Sequence, residues 1–179
     1  MSTPRIHQGN ENQVHFLTCT VIEWIDIFTK PEYFQIIIDS LRYCRVNKGL
    51  QLYEYVVMTN HLHLIAQAND GCKLSQIISD FKKYTTLEIL KALKADNQKY
   101  ILTLLSNSYS KKYGYENQIW QRENYPELIV SEVFLLTKAN YIHGNPVKKG
   151  YVSKPEDWCY SSARNRVLND NGIIDIDTW

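Results

Sequence analysis

The sequence predicts an α+β fold in which helices flank an antiparallel sheet. One observation is the order of the elements, which runs strand, helix, strand, strand, helix before shorter pieces follow. Another is that only a few residues around Thr59 and Asn60 separate the second and third strands, which is hairpin length. This mixed order with a central hairpin favours an antiparallel α+β sandwich over a doubly wound parallel sheet. The sequence also has no GxGxxG or Walker-type glycine loop, so we expect no nucleotide cofactor.

The first half of the chain predicts a strand, a helix and a hairpin. Residues 14–25 are rich in β-branched and aromatic side chains, which are typical of a strand. A helix follows because Pro31 suits a first turn, apolar residues recur at helical spacing, and Gly49 suits a helix end. The apolar positions of that helix are Phe34, Ile37, Ile38 and Leu41. Residues 50–58 and 62–68 predict the two strands of the hairpin.

The second half predicts two helices separated by an irregular stretch. Apolar residues return at helical spacing over 73–95, a segment that also carries several lysines. Residues 96–118 are polar, so we expect a flexible insertion there, and residues 119–122 predict a short strand. A last helix extends over 131–143 from a serine cap, and Pro146 is expected to stop it.

Length and composition predict one domain with a core of its own. The 179 residues suit a single domain, with residues 1–12 as a loose N-terminus and 167–179 as an acidic tail. Apolar residues make up 44% of the chain and charged residues 22%, which excludes a wholly disordered protein. No secretory signal opens the chain, and no apolar stretch approaches the roughly 18 residues of a membrane span. We therefore expect a cytoplasmic protein with no membrane partner.

Charge is distributed unevenly along the chain. Residues 73–154 carry 13 basic and 7 acidic side chains, a net charge of +6. Residues 1–72 carry a net charge of −2, and residues 155–179 a net charge of −3. A basic middle between acidic ends indicates a local surface for a polyanion. The alternative is that these lysines simply solvate helix faces.

Two histidines in the motif MTNHLHLI are candidate metal ligands. On a strand, residues i and i+2 point to the same face, so His61 and His63 would project side by side. That geometry suits two ligands on one metal ion. A structural histidine pair is the alternative. The four cysteines form no CxxC pair, so a structural zinc knuckle is not expected.

A second candidate group lies in the last predicted helix. Tyr141 and Asn145 are four residues apart, so one helix face would present a phenol and an amide oxygen together. The alternative is a buried tyrosine and an asparagine at a helix end before Pro146. Tyr84 is a rival nucleophile because it lies in a basic helix, with Glu88 four residues later.

Four motifs occur in one order along the chain, namely MTNHLHLI, WQRENYPELI, NYIHGNPVKKGYV and PEDWCYSSARN. Together they resemble the single-tyrosine HUH transposases, in particular the branch of REP-associated tyrosine transposases. The resemblance extends from the first strand to about residue 165. It implies a ferredoxin-like antiparallel sheet flanked by helices, a homodimer, and single-stranded DNA with a hairpin as the partner. Thr59 departs from the family, in which proline or serine is usual before Asn-His.

The resemblance also implies a role for each motif residue. His61 and His63 match the HUH metal pair, and Asn145 matches the third, polar ligand. Tyr141 matches the nucleophile that cleaves and rejoins single-stranded DNA through a 5′-phosphotyrosine. The expected cofactor is Mg²⁺ or Mn²⁺, although imidazole also accepts Zn²⁺. Two alternatives stay open: a hairpin-binding regulator that does not cleave, and a metal phosphodiesterase that uses water.

Basic and aromatic side chains are the candidates for DNA contacts. Lysine and arginine neutralise phosphates, and indole rings stack on unpaired bases. The candidates are Lys82, Lys83, Lys111, Lys112, Trp120, Arg122, Lys148 and Lys149. With such contacts we expect a protein associated with the nucleoid of a bacterium.

Overall fold

A computed structural model describes residues 5–113, 118–169 and 172–179 of the chain. The strands are β1 (His15–Thr20), β2 (Leu50–Val57), β3 (His61–Ala68) and β4 (Glu127–Leu128). The α-helices are α1 (Pro31–Lys48), α2 (Leu74–Ala95), α3 (Lys99–Tyr113), α4 (Glu132–Lys148) and α5 (Ala163–Val167). Single-turn 3₁₀ helices lie at Gln8–Asn10, Ile22–Trp24 and Pro155–Asp157.

Within the described residues, the strands form one antiparallel sheet in the order β2-β3-β1-β4. α1 joins β1 to β2, yet β3 lies between those strands, which is the split βαβ arrangement of ferredoxin-like folds. β2 and β3 form the predicted hairpin, with the Met58 N–H donating to the His61 carbonyl at 2.8 Å. The predicted α+β fold with an antiparallel sheet flanked by helices is confirmed.

Apolar clusters lie on both faces of the sheet. α1 and α2 pack on one face, where Leu62 and Leu64 belong to the larger cluster. α4 packs on the other face, where Ile142 belongs to the smaller cluster. Because side chains alternate along a strand, His61 and His63 point to the α4 side.

Both ends of α1 and the start of α4 have the residues that the sequence predicts for helix ends. α1 begins at Pro31 and ends before Gly49, which has a left-handed φ of 73° that a residue without Cβ adopts readily. A Cβ at position 49 would also lie 2.8 Å from Cys72 Sγ. At the start of α4, Ser131 Oγ accepts a hydrogen bond from the Phe134 N–H at 3.2 Å, which confirms the predicted cap.

The irregular insertion predicted over 96–118 is wrong for most of its length, because α3 occupies Lys99–Tyr113. Leu105 is buried, and Ile101 and Leu102 pack against the larger cluster. This tertiary burial stabilises a helix that its polar composition does not suggest. The residues directly after α3 lie outside the described part of the chain.

α4 does not stop before Pro146. The helix continues to Lys148 with the proline in its last turn. A proline lacks the N–H that would bond to the carbonyl four residues earlier, so α4 loses one backbone hydrogen bond here and still continues for two more residues. The Pro146 carbonyl accepts from the Tyr151 N–H at 3.0 Å. Asn145 therefore lies inside the helix, one turn after Tyr141.

The predicted strand over 119–122 is reduced to a single bridge between Val21 and Trp120. The fourth strand of the sheet is β4, which follows it. β1 ends at Thr20 rather than at residue 25, because the chain turns into the 3₁₀ helix at Ile22–Trp24.

Described residues near both chain ends are held by hydrogen bonds. Glu11, in the predicted loose N-terminus, accepts from the Ser75 N–H at 2.9 Å. Asp177, in the predicted acidic tail, accepts from the Leu52 N–H at 2.7 Å. Both segments are therefore docked where they are described; residues 1–4 lie outside the described part. Among the described helices, none has the length and apolar character needed to cross a membrane.

Candidate active site

His61 and His63 project side by side from β3. Their ring centroids are 4.8 Å apart, with the ring planes at 72°. Each side chain is buried, with 5% of its surface exposed. Phe16 stacks on His63 at 5.3 Å, and Trp24 meets His61 edge-on at 5.5 Å. Aromatic rings thus border both imidazoles.

Each imidazole is oriented through its Nδ1 atom. His61 Nδ1 lies 2.7 Å from Asn60 Oδ1, and His63 Nδ1 lies 2.9 Å from Thr18 Oγ1. With the proton on Nδ1, each ring donates to that oxygen and keeps a lone pair on Nε2. The His63 Nε2 atom is buried and has no hydrogen-bond partner among the described residues. Buried polar atoms are normally paired, so this nitrogen is a candidate ligand position.

Burial keeps both imidazoles neutral. Loss of hydration lowers the pKa of His61 to about 4; the charge of Lys149 adds to this and that of Asp26 opposes it. Loss of hydration lowers the pKa of His63 to about 3, with His61 and Lys138 adding to the effect. Neutral imidazole is the form that binds metal ions, so the pair is in the right protonation state at neutral pH.

Tyr141 lies against the same pair in the same chain. α4 places its ring centroid 5.2 Å from that of His63 and 6.1 Å from that of Phe16. Tyr141 is 46% exposed, so part of its side chain faces solvent. The structure therefore brings together an accessible phenol and two neutral imidazoles.

Asn145 is the candidate for a third donor. It is buried on the turn of α4 that follows Tyr141, with 7% of its surface exposed. Amide oxygens suit Mg²⁺ and Mn²⁺. Among the described residues, no group of three His, Cys, Asp or Glu side chains is placed to hold a metal ion.

Tyr84, the rival nucleophile, lies away from the histidines. It is on α2, 56% exposed, and lines a groove of about 570 Å³ with Tyr43 and Lys48 of α1. α2 packs on the face of the sheet opposite to His61 and His63. The sheet thus separates Tyr84 from the imidazoles, and the geometry favours Tyr141.

Two of the residues predicted to contact DNA are used inside the fold. Trp120 is 3% exposed and donates from Nε1 to Thr85 Oγ1 at 2.9 Å, so the prediction that it stacks on bases is wrong. Lys82 Nζ donates to the Gln121 carbonyl at 2.7 Å and to the Glu123 carbonyl at 3.3 Å. Burial lowers the pKa of Lys82. Lys82 therefore ties α2 to the segment over residues 121–123, which precedes β4.

Other predicted contacts remain accessible. Lys83 and Arg122 are exposed and line a groove of about 520 Å³ between α2 and residues 118–124. Lys148 and Lys149 are exposed at the end of α4, where the charge of Lys149 acts on His61. The side chains of Lys111 and Lys112 lie outside the described residues.

Lys138 is a functional candidate that the sequence reasoning missed. Its ammonium lies 4.4 Å from the Phe16 ring centroid and 2.6 Å from Glu127 Oε1. Its charge also acts on His63. The available signal was helical spacing, because Lys138 precedes Tyr141 by three residues and so shares its helix face.

A second buried polar cluster was also missed. Glu54 of β2 is 1% exposed, and its oxygens accept from His143 at 2.8 Å, Ser162 at 2.6 Å, Arg166 at 2.8 Å and Trp179 at 3.2 Å. Burial acts to raise the pKa of Glu54, but the hydrogen bonds and charges of these partners outweigh it and lower the pKa. His143 belongs to α4, so the cluster fixes the helix that carries the phenol. Its members are scattered along the chain and form no sequence motif.

Comparison with known proteins identifies transposases among the relatives of this chain. The family model described as "Transposase IS200 like" matches residues 10–117, a range that includes His61 and His63 and ends before Tyr141. A Haemophilus influenzae protein assigned as a REP-associated tyrosine transposase is 32% identical over 112 residues. That match covers 62% of this chain and 57% of the relative, so the chain spans little more than half of that protein's length.

A solved structure has the same fold. It is a REP-associated tyrosine transposase bound to a REP hairpin, with a TM-score of 0.67 and 20% identity to this chain. The superposition covers 100% of this chain and 93% of the other. This likeness confirms the predicted fold, and the family model supports the resemblance of the first of the four motifs, which lies within residues 10–117.

Proposed function

The chain belongs to the family of IS200-like transposases, and from that premise we propose that it cleaves and rejoins single-stranded DNA beside a hairpin. One observation supports this above all others. The buried Nε2 of His63, which has no partner among the described residues, lies in the same site as the exposed phenol of Tyr141. A neutral nitrogen donor next to an accessible hydroxyl is the arrangement that metal-assisted phosphodiester chemistry needs.

His61 and His63 fit a divalent cation. Their Nε2 atoms are the proposed ligands, because each Nδ1 is engaged by Asn60 or Thr18. The amide oxygen of Asn145 is the proposed third donor. When bound, Mg²⁺ or Mn²⁺ supplies Lewis-acid stabilisation of the negative charge on the phosphate.

Tyr141 is the proposed nucleophile. Its phenolic oxygen attacks the phosphorus, which forms a 5′-phosphotyrosine, while the bond to the 3′ oxygen breaks. The phenol loses its proton, and the departing oxygen gains one to become a free 3′-hydroxyl. The covalent link preserves the energy of the broken bond, so a 3′-hydroxyl can later displace the tyrosine without ATP.

Basic side chains near the site assist an anionic substrate. Lys138 and Lys149 both act electrostatically on the imidazoles, so their charge extends to the place where a phosphate would bind. A phosphodiester and a phenolate repel each other, and fixed positive charge reduces that repulsion. We assign DNA contacts also to the exposed Lys83, Arg122 and Lys148.

We propose a DNA hairpin as the partner and a homodimer as the assembly. The shared fold with a protein solved together with a REP hairpin supports the first part. The four sequence motifs support the second by resemblance to a family of homodimers. Such a protein acts in the cytoplasm at the nucleoid, and sedimentation of the purified protein measures its oligomeric state.

A covalent-trapping experiment tests the nucleophile. Hairpin oligonucleotides with randomised single-stranded flanks and a 3′ label are mixed with the protein and Mn²⁺, then separated on a denaturing gel. We expect a labelled protein–DNA band with the parent chain and with Tyr84→Phe, and none with Tyr141→Phe. Tyr84 is a matched control because it is equally a partly exposed tyrosine on a helix.

The same gel separates the alternatives. Cleaved DNA with no protein-bound label would indicate water as the nucleophile and a phosphodiesterase. Salt-dependent binding of the hairpin without cleavage would indicate a regulator. Either outcome contradicts the proposed strand transfer.

A further inference from the structure

The turn between β1 and α1 holds an exposed tryptophan against the histidine pair. Trp24 is 57% exposed, whereas large aromatic side chains ordinarily bury most of their surface. Its ring centroid lies 5.5 Å from that of His61, with the planes at 69°. One part of the indole therefore contacts the candidate active site, and the remainder faces solvent.

The backbone of this turn has a conformation that side chains disfavour. Glu23 has a φ of 50° and Trp24 a φ of 56°, both in the left-handed region. Residues with a Cβ adopt this region rarely, and it persists only where the surroundings enforce it. Enforced backbone of this kind is concentrated at binding and catalytic sites.

Asn60 is the residue that enforces it. Its Nδ2 donates to the Trp24 carbonyl at 3.1 Å, and its Oδ1 accepts from His61 Nδ1 at 2.7 Å. Its own carbonyl accepts from the Val21 N–H at 2.8 Å, which fixes the start of the turn. One asparagine thus bonds both the backbone of Trp24 and the imidazole of His61.

We propose that Trp24 is the stacking platform for the nucleobase next to the phosphate that binds at the histidine pair. This inference rests on the proposed function, because it assumes that single-stranded DNA reaches His61. An exposed aromatic face binds an unpaired base of any sequence, and each such stack strengthens binding by about tenfold. Lys149, whose charge acts on His61, attracts the adjoining backbone. The indole holds the strand in register, so that one phosphate lies before Tyr141.

Glycine is the informative substitution at this position. Trp24→Gly removes the indole, and a φ of 56° suits glycine, so the turn keeps its shape. Trp24→Phe retains a smaller aromatic face. Tyr84→Ala is the matched control, since Tyr84 is 56% exposed and lies on the opposite face of the sheet. All three changes are made in a Tyr141→Phe chain, so that bound DNA is not cleaved.

Two labelled probes separate base stacking from backbone binding. One is a DNA hairpin with a single-stranded thymidine flank of about 12 nucleotides, within the range of single-strand binding sites, and the other is the same hairpin with a flank that carries no bases. Fluorescence anisotropy with Mg²⁺ measures both affinities. We expect Trp24→Gly to weaken binding of the thymidine probe by about tenfold and to leave the baseless probe unchanged. We expect the affinity of Trp24→Phe for the thymidine probe to lie between those of Trp24→Gly and the chain with Trp24 intact. Tyr84→Ala should change neither affinity.

The outcomes distinguish this inference from the proposed function. Equal weakening for both probes, or no weakening for either, overturns the stacking role while DNA binding stands. Failure of the Tyr141→Phe chain with Trp24 intact to bind either probe overturns both proposals. Thermal unfolding of Trp24→Gly checks the fold, and we expect a midpoint no lower than that of the parent.

Discussion

Two buried polar clusters meet α4, and they differ in how completely their atoms are paired. At Glu54 both carboxylate oxygens accept hydrogen bonds, including those from His143 of α4 and from Arg166. At the histidine pair, His63 Nε2 has no partner among the described residues, although it is as inaccessible to water. The sheet thus carries one saturated cluster and one that is left incomplete.

The difference teaches how to separate structural from functional polar groups. Removing a buried carboxylate that is fully paired leaves its partners buried and unpaired, which destabilises the fold. A buried polar atom that has no hydrogen-bond partner lowers the stability of the fold unless a ligand binds it. We therefore assign Glu54 to holding α4 in place, and His63 to binding. Substitutions in each cluster test this assignment.

The largest expected effect is on stability, from Glu54→Ala. The change leaves Arg166 and His143 without their carboxylate, so we expect the free energy of unfolding to fall by about 3–5 kcal/mol. Urea denaturation measures it. The control is Asp39→Asn, which breaks an exposed ion pair with Arg42 and should change stability by no more than about 1 kcal/mol. Equal effects of the two changes would contradict the assignment of Glu54.

Mn²⁺ is expected to stabilise the protein through the incomplete cluster. A ligand that binds only the folded state at a hundred times its dissociation constant adds about 2.7 kcal/mol. Differential scanning fluorimetry with increasing Mn²⁺ should show a rising unfolding temperature in the parent and none in His63→Phe. A Glu54→Ala chain that still folds should keep the Mn²⁺ response. A response of His63→Phe equal to that of the parent would place the metal elsewhere.

His63→Phe is expected to abolish the covalent adduct while it barely alters stability. The phenyl ring keeps the stack on Phe16 and removes the unpaired nitrogen, although Thr18 loses its partner. The gain from removing the unpaired nitrogen and the loss of the Thr18 hydrogen bond nearly cancel. We therefore expect the free energy of unfolding to change by less than about 1 kcal/mol. Urea denaturation without metal checks this value. A loss comparable to that of Glu54→Ala would mean that His63 is structural.

The histidine pair also sets a pH dependence of stability. In the unfolded chain the imidazoles bind protons near pH 6.5, whereas the folded pKa values of His61 and His63 are about 4 and 3. The unfolded state thus binds more protons below pH 6.5, so stability falls as the pH falls. The lowered pKa of Glu54 adds to this loss only below its unfolded value of 4.5.

The His63→Phe variant sharpens that prediction. Between pH 6.5 and 4.5 it has one imidazole fewer to titrate, so its stability should fall less steeply than that of the parent. Urea midpoints measured across this range compare the two slopes. Equal dependence of stability on pH in the two chains would show that folding does not lower the pKa of His63.

Features coded by neighbouring residues were predictable from the sequence. The strand spacing of His61 and His63 predicts that they share a face, and the structure places their rings 4.8 Å apart. The helical spacing of Tyr141 and Asn145 predicts one helix face in the same way. Their meeting across α4 and β3 came from the family resemblance, because no local pattern encodes a distance between remote segments.

Features that depend on burial were not predictable from residue type. Trp120 has an indole ring, which is typical of residues that stack on bases, but this indole donates a hydrogen bond to Thr85 in the core. The helix α3 is stabilised because Leu105 is buried in the core. The polar composition of the segment does not predict this burial. The partners of Glu54 lie up to 125 residues away, so only the folded chain reveals them.

The most direct test of the account is to locate the covalent link. The parent protein is incubated with a hairpin oligonucleotide and Mn²⁺, digested with nuclease and protease, and the peptides are analysed by mass spectrometry. We expect a nucleotide attached to the peptide that contains Tyr141, and no adduct in His63→Phe. An adduct on Tyr84, or an adduct that forms equally well without the imidazole of His63, would contradict the account.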